Sequence, residues 1–559
     1  RSTTFFWVSL AGMLVGTTVY VNAGTQLAAI THSSDVMSPG LIISFVVLAF
    51  FPWLARWGIE RIKIRRLYAR WTKPAHFDRN LIVIGAGAAG LVSAYIAAAT
   101  RANVTLIESH KMGGDCLNYG CVPSKALIRT AAFLQQVKNA RSLGIAQTSV
   151  QYDFAAVMDR VRRVVKTVEP HDSVQRYTQL GVEVLQGKAT ITSPWSVEIN
   201  GQILTTRAII IATGARPIVP KIPGLESVRY YTSDTIWSLN ERPERLVVLG
   251  GGPIGCELAQ AFARLGCQVT QVERGDLMMR EDADAMELVK TALQADGVKI
   301  LTQTEALRCE TEGDARYLIV RGQDGEETKL PFDALLCAVG RMPRTEGFGL
   351  EELGIPVSSQ HTIETNAWLQ TIYPNIYACG DAAGPYQFTH TAAHQAWYAS
   401  INALFGDIKH FKVDYSVIPW ATFTDPEVAR VGLSEKEAKA RKIAFEVTRF
   451  NLADLDRAIA DEAAHGFVKV LTVPGKDRIL GVSIAGAHAS DLLAEFVLAM
   501  KHGLGLNKIL GTIHIYPTWS EANKYAAGEW KRAHAPQLLL KWVGKYHVRR
   551  RGKADNQIG

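Results

Sequence analysis

The chain has 559 residues, of which 48% are hydrophobic, so it is long enough for three or four domains with cores of their own. Seven cysteines in a chain of this length exclude a small disulfide-stapled scaffold. The net charge of +8 is unevenly distributed, because residues 1–55 carry two charged side chains whereas residues 56–73 carry seven basic ones and a single acid. No nucleic-acid partner is expected.

Residues 1–75 are predicted to form a membrane segment with a basic linker. Residues 2–34 and 36–55 contain no Asp, Glu, Lys or Arg, and about 20 apolar residues are enough for a helix to cross a bilayer. The basic block that follows contains the Trp, Tyr, Arg and Lys of a membrane interface, and the positive-inside rule then places the later domains in the cytoplasm. We therefore expect attachment to the inner membrane, with a signal peptide or a buried helix as the alternatives.

Residues 5–27 resemble the C-terminal end of the VTT (SNARE-associated, TVP38-like) membrane family. Because the chain starts with Arg1 rather than Met, we expect a fragment or a processed form, with most of such a membrane domain preceding it. At the other end, the tail of residues 536–559 carries six basic residues from Lys541 to Lys553. Contact with anionic lipid and simple solvation are both compatible with that tail.

Two Gly-rich turns with the same spacing predict two dinucleotide-binding folds. Each copy has three glycines after an apolar strand and one acid at the end of the next strand: Gly85, Gly87, Gly90 and Glu108 in the first, and Gly250, Gly252, Gly255 and Glu273 in the second. The glycines let the backbone approach a pyrophosphate at a helix N-terminus, and the acid accepts a hydrogen bond from a ribose hydroxyl. Two ordinary Gly-rich turns are the alternative, but the repeated strand–turn–helix–strand context favours nucleotide binding.

Cys116 and Cys121 lie in a stretch that is also rich in glycine. In an undistorted α-helix, residues five apart have Cα atoms about 8.6 Å apart, which exceeds the roughly 7 Å limit for a disulfide. A bridge therefore needs a broken turn, which Pro123 favours by its clash with the carbonyl of Tyr119 and Gly120 favours by its backbone freedom. We interpret the pair as a redox-active dithiol; two structural cysteines or half of a zinc site are the alternatives.

The sequence of residues 113–125, Gly-Gly-x-Cys-x4-Cys-Val-Pro-Ser-Lys, resembles the active-site signature of the pyridine nucleotide-disulfide oxidoreductases. These flavoproteins include the mercuric reductases and the dihydrolipoamide dehydrogenases. The resemblance implies an α/β fold with an FAD-binding domain (76–217 and 340–412), an NAD(P)-binding domain (218–339) and an α+β dimerisation domain (413–535). Both nucleotide-binding domains would be Rossmann-like, and the protein would be a homodimer.

The resemblance also implies the roles of individual residues. Cys121 would lie nearer to the flavin, Cys116 would exchange with the substrate, and Lys125 and Glu257 would form an ion pair beside the flavin. Further residues of the cofactor-binding motifs are Gly114, Thr213, Gly214, Gly340, Gly380 and Asp381.

The second nucleotide fold is predicted to bind NADH. Glu273 and Gly255 favour NADH, because a 2′-phosphate would meet the carboxylate. Arg274 keeps NADPH as a second candidate.

The chain departs from the family at its last motif, His-Pro-Thr-x-x-Glu, whose His and Glu serve the disulfide of the partner subunit. Here Tyr516 replaces the His and Glu521 keeps the position that orients a base. A Tyr with an ordinary pKa near 10 is a poor general base at neutral pH. His514, two residues earlier, is either the replacement base or an ordinary interface histidine. No cysteine follows Cys379, so the C-terminal cysteine pair with which the mercuric reductases transfer metal is absent.

The predicted activity is electron transfer from NAD(P)H through FAD to the Cys116–Cys121 pair. The pair would then reduce a small-molecule or protein disulfide, or a related sulfur or metal acceptor, without a resident metal. Two alternatives stay open: direct reduction of a quinone by the flavin of a membrane-bound enzyme, and redox sensing that regulates the attached membrane domain.

Overall fold

The computed structural model describes residues 39–552 and scattered positions between residues 13 and 28. The α-helices of residues 39–552 are α1 (Pro39–Tyr68), α2 (Ala88–Ala99), α3 (Gly114–Asn118), α4 (Cys121–Lys138), α5 (Phe154–Val168), α6 (Val174–Gln179), α7 (Pro253–Arg264), α8 (Ala283–Ala295), α9 (Leu350–Leu353), α10 (Thr389–Phe405), α11 (Glu435–Ala440), α12 (Asp456–Ala460), α13 (Ala489–Lys501), α14 (Leu506–Leu510), α15 (Glu521–Ala533) and α16 (Gln537–Arg550).

The strands are β1 (Arg79–Ile84), β2 (Val104–Glu108), β3 (Val182–Gln186), β4 (Ala189–Ser193), β5 (Ser196–Ile199), β6 (Gln202–Ile211), β7 (Ala215–Pro217), β8 (Tyr230–Thr232), β9 (Arg245–Leu249), β10 (Gln268–Val272), β11 (Lys299–Leu301), β12 (Glu305–Glu312), β13 (Ala315–Arg321), β14 (Glu327–Phe332), β15 (Ala334–Cys337), β16 (Arg341–Pro343), β17 (Ile376–Ala378), β18 (Pro419–Thr422), β19 (Glu427–Gly432), β20 (Glu446–Asn451), β21 (Phe467–Thr472) and β22 (Ile479–Gly486). The chain divides into two compact units, of which the smaller comprises Arg1–His76 and Ser193–Trp195.

Helix α1 corrects the prediction of a membrane segment. It has 30 residues, but the apolar run LIISFVVLAFFPWL has only 14 and is shorter than the roughly 20 residues that a span needs. The second half of the helix carries Arg56, Arg61, Lys63, Arg65 and Arg66. No helix among the described residues combines the length and the apolar character needed to cross a membrane. The predicted transmembrane segment within residues 36–55 and the predicted inner-membrane location are therefore wrong, whereas residues 2–34 lie almost entirely outside the described residues.

The resemblance of residues 5–27 to a VTT domain concerns positions that lie almost entirely outside the described residues, and it stays a prediction.

The first sheet has the strand order β3-β2-β1-β6, with β17 parallel to the last part of β6 and β5 antiparallel to its first part. The last residues of β1 and β6 are continuous buried apolar runs, which are typical of parallel strands covered on both faces. Helices α2 and α10 contribute alanines to the same core. Because ligands bind beyond the carboxyl ends of parallel strands, the edge that follows β1, β2, β6 and β17 is where a nucleotide site is expected.

The second sheet is parallel, in the order β11-β10-β9-β15-β8, and a separate antiparallel sheet has the order β12-β13-β14. The connection β9–α7–β10 repeats the connection β1–α2–β2 of the first sheet. Helix α7 begins with Pro253, which has no N–H to lose at that position. The chain therefore contains two Rossmann-like units, as predicted.

The third part is an antiparallel sheet of order β18-β19-β22-β21-β20. Helices α13 and α15 share one buried apolar core with its strands. This α+β arrangement and the two Rossmann-like sheets confirm the predicted α/β fold class, without its transmembrane helix. The exact domain boundaries stay predictions.

Candidate functional site

A break between helices α3 and α4 positions the two cysteines. Cys116 lies within α3 and Cys121 is the first residue of α4. The N–H groups of Tyr119 and Gly120 both donate to the Asp115 carbonyl, over 2.9 and 2.6 Å, and this ends the first helix. Pro123 then lies in the first turn of α4, where the missing N–H breaks no helical hydrogen bond.

Cys116 and Cys121 form a thiol–thiolate pair. All seven cysteines are free rather than disulfide-bonded. The Cys116 thiol donates a hydrogen bond to the Cys121 sulfur, which raises the pKa of Cys116 far above its ordinary value. The same hydrogen bond, the Thr389 hydroxyl and the Lys125 charge outweigh burial and lower the pKa of Cys121 to about 6. At neutral pH Cys121 is therefore the thiolate and Cys116 the thiol.

Thr389, at the start of α10, contacts this pair. Its Oγ1 lies 3.6 Å from Cys121 Sγ, and its hydroxyl lowers the pKa of both cysteines by hydrogen bonding. Thr389 was not predicted, because a threonine at the start of an Ala-rich helix is not in itself typical of a functional site. The one feature of the sequence that could have indicated it is its position eight residues after Asp381, which was itself predicted to bind the cofactor.

Lys125 of α4 and Glu257 of α7 form an ion pair in which Nζ lies 2.8 Å from Oε2. The other oxygen of Glu257 accepts the Phe423 N–H over 2.9 Å. The Lys125 ammonium lies 4.2 Å from the centroid of the Phe423 ring. Segments from all three parts of the fold therefore meet at this pair.

A cavity of about 650 Å³ brings together many of the residues that sequence reasoning selected. Those that line it are Gly85, Gly87, Glu108, Gly114, Cys116, Cys121, Lys125, Thr213, Gly214, Glu257, Gly380 and Asp381. Gly90 in α2 and Gly340 before β16, both predicted in cofactor-binding motifs, do not line it.

The cavity fits the expected FAD. At Gly214 no protein atom lies within 4 Å of the place where a Cβ would stand, so a side chain there would occupy the cavity. Gly114 approaches Gly87 so closely that its Cβ would lie 2.5 Å from the Gly87 Cα. Backbone therefore forms this wall, as close approach to a pyrophosphate requires. Glu108 and the two cysteines line the same cavity, so the residues predicted to meet the ribose and the flavin face one space.

The acids of the two nucleotide folds have the same local geometry. Glu108 accepts the N–H groups of Ala86 and His110, over 2.7 and 2.8 Å. Glu273 accepts the N–H groups of Gly251 and Gly275, over 2.5 and 2.7 Å. In each copy the acid is therefore fixed to its Gly-rich turn. The second turn, Gly250, Gly252 and Gly255, does not line the cavity.

Charged side chains around Asp381 complete the cavity wall. Burial raises the pKa of Asp381 to about 6. Arg341 pairs with Asp115 and lies 3.7 Å from Asp234. Burial also raises the pKa of Asp115. Arg341 therefore connects the dithiol segment to strand β16, a link that the sequence analysis did not anticipate.

His514, Tyr516 and Glu521 do not line the cavity. Both ring nitrogens of His514 are engaged, Nε2 at 3.0 Å from Glu495 Oε1 and Nδ1 at 3.0 Å from the Thr512 carbonyl.

Tyr516 is 65% exposed and donates to Asp456 Oδ2 over 3.1 Å, which raises its pKa. Glu521 is buried and accepts from the Tyr525 hydroxyl over 3.3 Å. A single chain therefore does not bring His514, Tyr516 or Glu521 to its own dithiol, and no imidazole replaces the family's His at position 516.

Two parts of this chain match known protein domains of one family. Residues 79–396 match the pyridine nucleotide-disulphide oxidoreductases, and residues 418–527 match the dimerisation domain of the same family. A dihydrolipoyl dehydrogenase of Chlamydia trachomatis is 34% identical over 449 residues, 79% of this chain and 94% of that protein. A mercuric reductase of Lysinibacillus sphaericus is 33% identical over 449 residues, 80% of this chain and 82% of that protein.

Solved structures are similar over the same part of the chain. The HOCl-induced flavoprotein disulfide reductase RclA from Escherichia coli has a TM-score of 0.71 and 28% identity, and covers 80% of this chain and 99% of that one. The Cu(II) complex of RclA has a TM-score of 0.72 and 27% identity. Neither family match includes residues 1–75.

Proposed function

This chain belongs to the pyridine nucleotide-disulphide oxidoreductase family, and from that premise we propose that it transfers electrons from NADH through FAD to Cys116 and Cys121 and then to a disulfide. It is an FAD- and NAD(P)-dependent oxidoreductase of the disulfide-reductase class. The match to the family's dimerisation domain supports a homodimer.

The observation that carries the proposal is the unequal pair of sulfurs in the cavity wall. FAD bound there supplies the two electrons that convert the Cys116–Cys121 disulfide to thiol and thiolate. After losing its proton, the Cys116 sulfur attacks one sulfur of the substrate disulfide, and the other substrate sulfur leaves and takes up a proton. Cys121 then attacks Cys116 in the mixed disulfide, which restores the bond between the two cysteines and releases the second substrate sulfur as a thiolate that takes up a proton from solvent.

The Glu273 carboxylate supports NADH as the electron donor. It accepts the backbone N–H groups of Gly251, in the Gly-rich turn, and of Gly275. Its position in the motif is the one where the family's acid meets a ribose hydroxyl. A 2′-phosphate would bring further negative charge beside this carboxylate, whereas the hydroxyl of NADH would donate to it. Arg274 is the residue that keeps NADPH as a second candidate.

Substitution of Cys116 tests the proposal. We expect Cys116→Ser to lower kcat for NADH-dependent reduction of a small aromatic disulfide by about a thousandfold or more, because the exchanging nucleophile is lost. The bound flavin and its reduction by NADH should persist in this variant. Hg(II) and Cu(II) belong in the same acceptor assay, since a mercuric reductase and Cu(II)-bound RclA are among the similar proteins. Disulfide turnover that survives in Cys116→Ser would contradict the proposal.

One observation favours a second candidate, direct reduction of a quinone. Tyr516 stands where the family has its His, and it donates to Asp456, so that position supplies no imidazole for proton transfer to a leaving thiol. A quinone that took electrons from the flavin would not need the cysteines. In that case NADH:quinone turnover would be equal in the wild type and in Cys116→Ser, and it would exceed disulfide turnover.

A further inference from the structure

Two side chains meet at the edge of the FAD cavity, outside the groups used so far. Tyr119 lies in the turn between α3 and α4, and His110 lies two residues after the end of β2. The Tyr119 hydroxyl and His110 Nε2 are hydrogen-bonded over 2.7 Å. Their rings are nearly parallel, at 16°, with centroids 6.3 Å apart. Both residues line the cavity; His110 is exposed and Tyr119 is half-buried.

The backbone around Tyr119 is anchored on both sides of its side chain. Its N–H donates to the Asp115 carbonyl over 2.9 Å, and its carbonyl accepts the Trp237 indole N–H over 2.7 Å. The Lys111 ammonium lies 5.7 Å from the centroid of the ring. The dithiol segment and Trp237 therefore fix the backbone of Tyr119 independently of the hydrogen bond between its hydroxyl and His110.

His110 is fixed from the other side. Its backbone N–H donates to Glu108 Oε1 over 2.8 Å, and Glu108 is the acid predicted at the ribose position of the first nucleotide fold. The contact with Tyr119 thus joins two segments of the cavity wall, the turn that carries Glu108 and the turn that carries the cysteines. Since both residues line the cavity and His110 is exposed, the contact lies at the solvent-facing part of the cavity wall.

We propose that the Tyr119–His110 hydrogen bond is a clasp that retains bound FAD in its cavity. Tyr119 and His110 are positioning residues in this role, since neither takes part in the chemistry of the sulfurs. The proposal rests on the binding of FAD in this cavity and not on the identity of the electron acceptor. It assigns a function to the tyrosine between the two cysteines, which the dithiol chemistry does not use.

Release of FAD from the holoenzyme tests the clasp. Tyr119→Phe removes the hydroxyl and keeps the ring, and His110→Phe removes both ring nitrogens. We expect each variant to release FAD about threefold to tenfold faster than the wild type, the factor that one hydrogen bond of ordinary net strength supplies. The rate is measured as the recovery of flavin fluorescence after dilution, and thermal unfolding of the apo forms shows whether the variants fold.

A double-mutant cycle separates the hydrogen bond from packing effects. If the clasp exists, the double variant releases FAD no faster than either single variant, because the bond has already been lost. Tyr152→Phe is the matched control: it also removes a tyrosine hydrogen bond, to the Leu265 carbonyl outside the cavity lining, and should leave the release rate unchanged. Unchanged rates in both single variants, or effects that multiply in the double variant, would overturn the proposal. A protein that binds no FAD would instead refute the proposed function.

Discussion

Cys121 receives its low pKa from neighbours in three elements. Cys116 of α3 donates the most important hydrogen bond, Thr389 of α10 donates another, and Lys125 of α4 adds a positive charge. Helix α4 starts at Cys121 itself, and a helix N-terminus favours a thiolate. Cys379 also lines the cavity, but burial raises its pKa to about 12. Of Cys121 and Cys379, only Cys121 is therefore charged at neutral pH.

The pH dependence of the Cys121 thiolate follows from these contacts. In Cys116→Ser the hydroxyl can still donate to Cys121, whereas in Cys116→Ala no donor remains. We expect the long-wavelength absorbance of the thiolate against the flavin to appear above a midpoint near pH 6 in Cys116→Ser, since the thiol is protonated below it. In Cys116→Ala the midpoint should be higher. Equal midpoints in the two variants would show that this hydrogen bond is not the cause.

At the scale of elements, the site depends on the segment of residues 113–125 that lies against the first Gly-rich turn. Gly114 has a φ of +57°, which L-residues rarely adopt. A Cβ there would lie 2.5 Å from the Gly87 Cα, a backbone atom that no change of side-chain rotamer can move away. The dithiol helix and the turn after β1 can therefore approach only because position 114 has no side chain.

Gly114→Ala tests this contact. We expect the variant to purify with much less FAD and to unfold at a lower temperature, because the backbone has to move. Gly144→Ala is the matched control: Gly144 also has a positive φ, +81°, but no atom lies within 4 Å of its Cβ position. It should lose about 1 kcal/mol of stability from strain alone and keep its FAD. Flavin absorbance per protein and thermal unfolding measure both effects, and equal FAD loss in the two variants would contradict the steric explanation.

At the scale of the whole molecule, the segment before Tyr516 presents apolar side chains that the single chain does not cover. Ile513 is 97% exposed and Ile515 is 77% exposed. They lie within residues 418–527, which match the dimerisation domain. Burial of an isoleucine stabilises by about 1.5–3 kcal/mol, and a symmetric dimer would bury each of them twice. This segment is therefore where we expect the subunits to meet.

Ile515→Glu should dissociate the dimer. The loss of two buried isoleucines and the burial of two carboxylates would raise the dimer Kd by roughly a hundredfold or more. Light scattering coupled to gel filtration measures the mass. Ile408→Glu is the control, because Ile408 is 85% exposed but lies outside the dimerisation match. A dimer that persists in Ile515→Glu would place the subunit contact elsewhere.

The sequence by itself determined the features that are local along the chain. The two Gly-rich turns, each with its acid 23 residues later, predicted two Rossmann-like units because strand, turn and helix are adjacent there. The motif from Gly113 to Lys125 predicted the dithiol for the same reason. The membrane prediction was wrong because absence of charge was counted over residues 36–55, whereas helix α1 runs on through the basic residues to Tyr68.

Only the tertiary structure decided which distant groups act on the dithiol. Thr389 is 268 residues from Cys121, Arg341 is 226 residues from Asp115 of the dithiol segment, and no periodicity relates them. Likewise, the spacing of His514 from Tyr516 left its role open, whereas the structure shows its ring held by Glu495. Such contacts arise when separate sheets and helices pack together, so their physical origin lies in the packing of the whole fold and leaves no local pattern in the sequence.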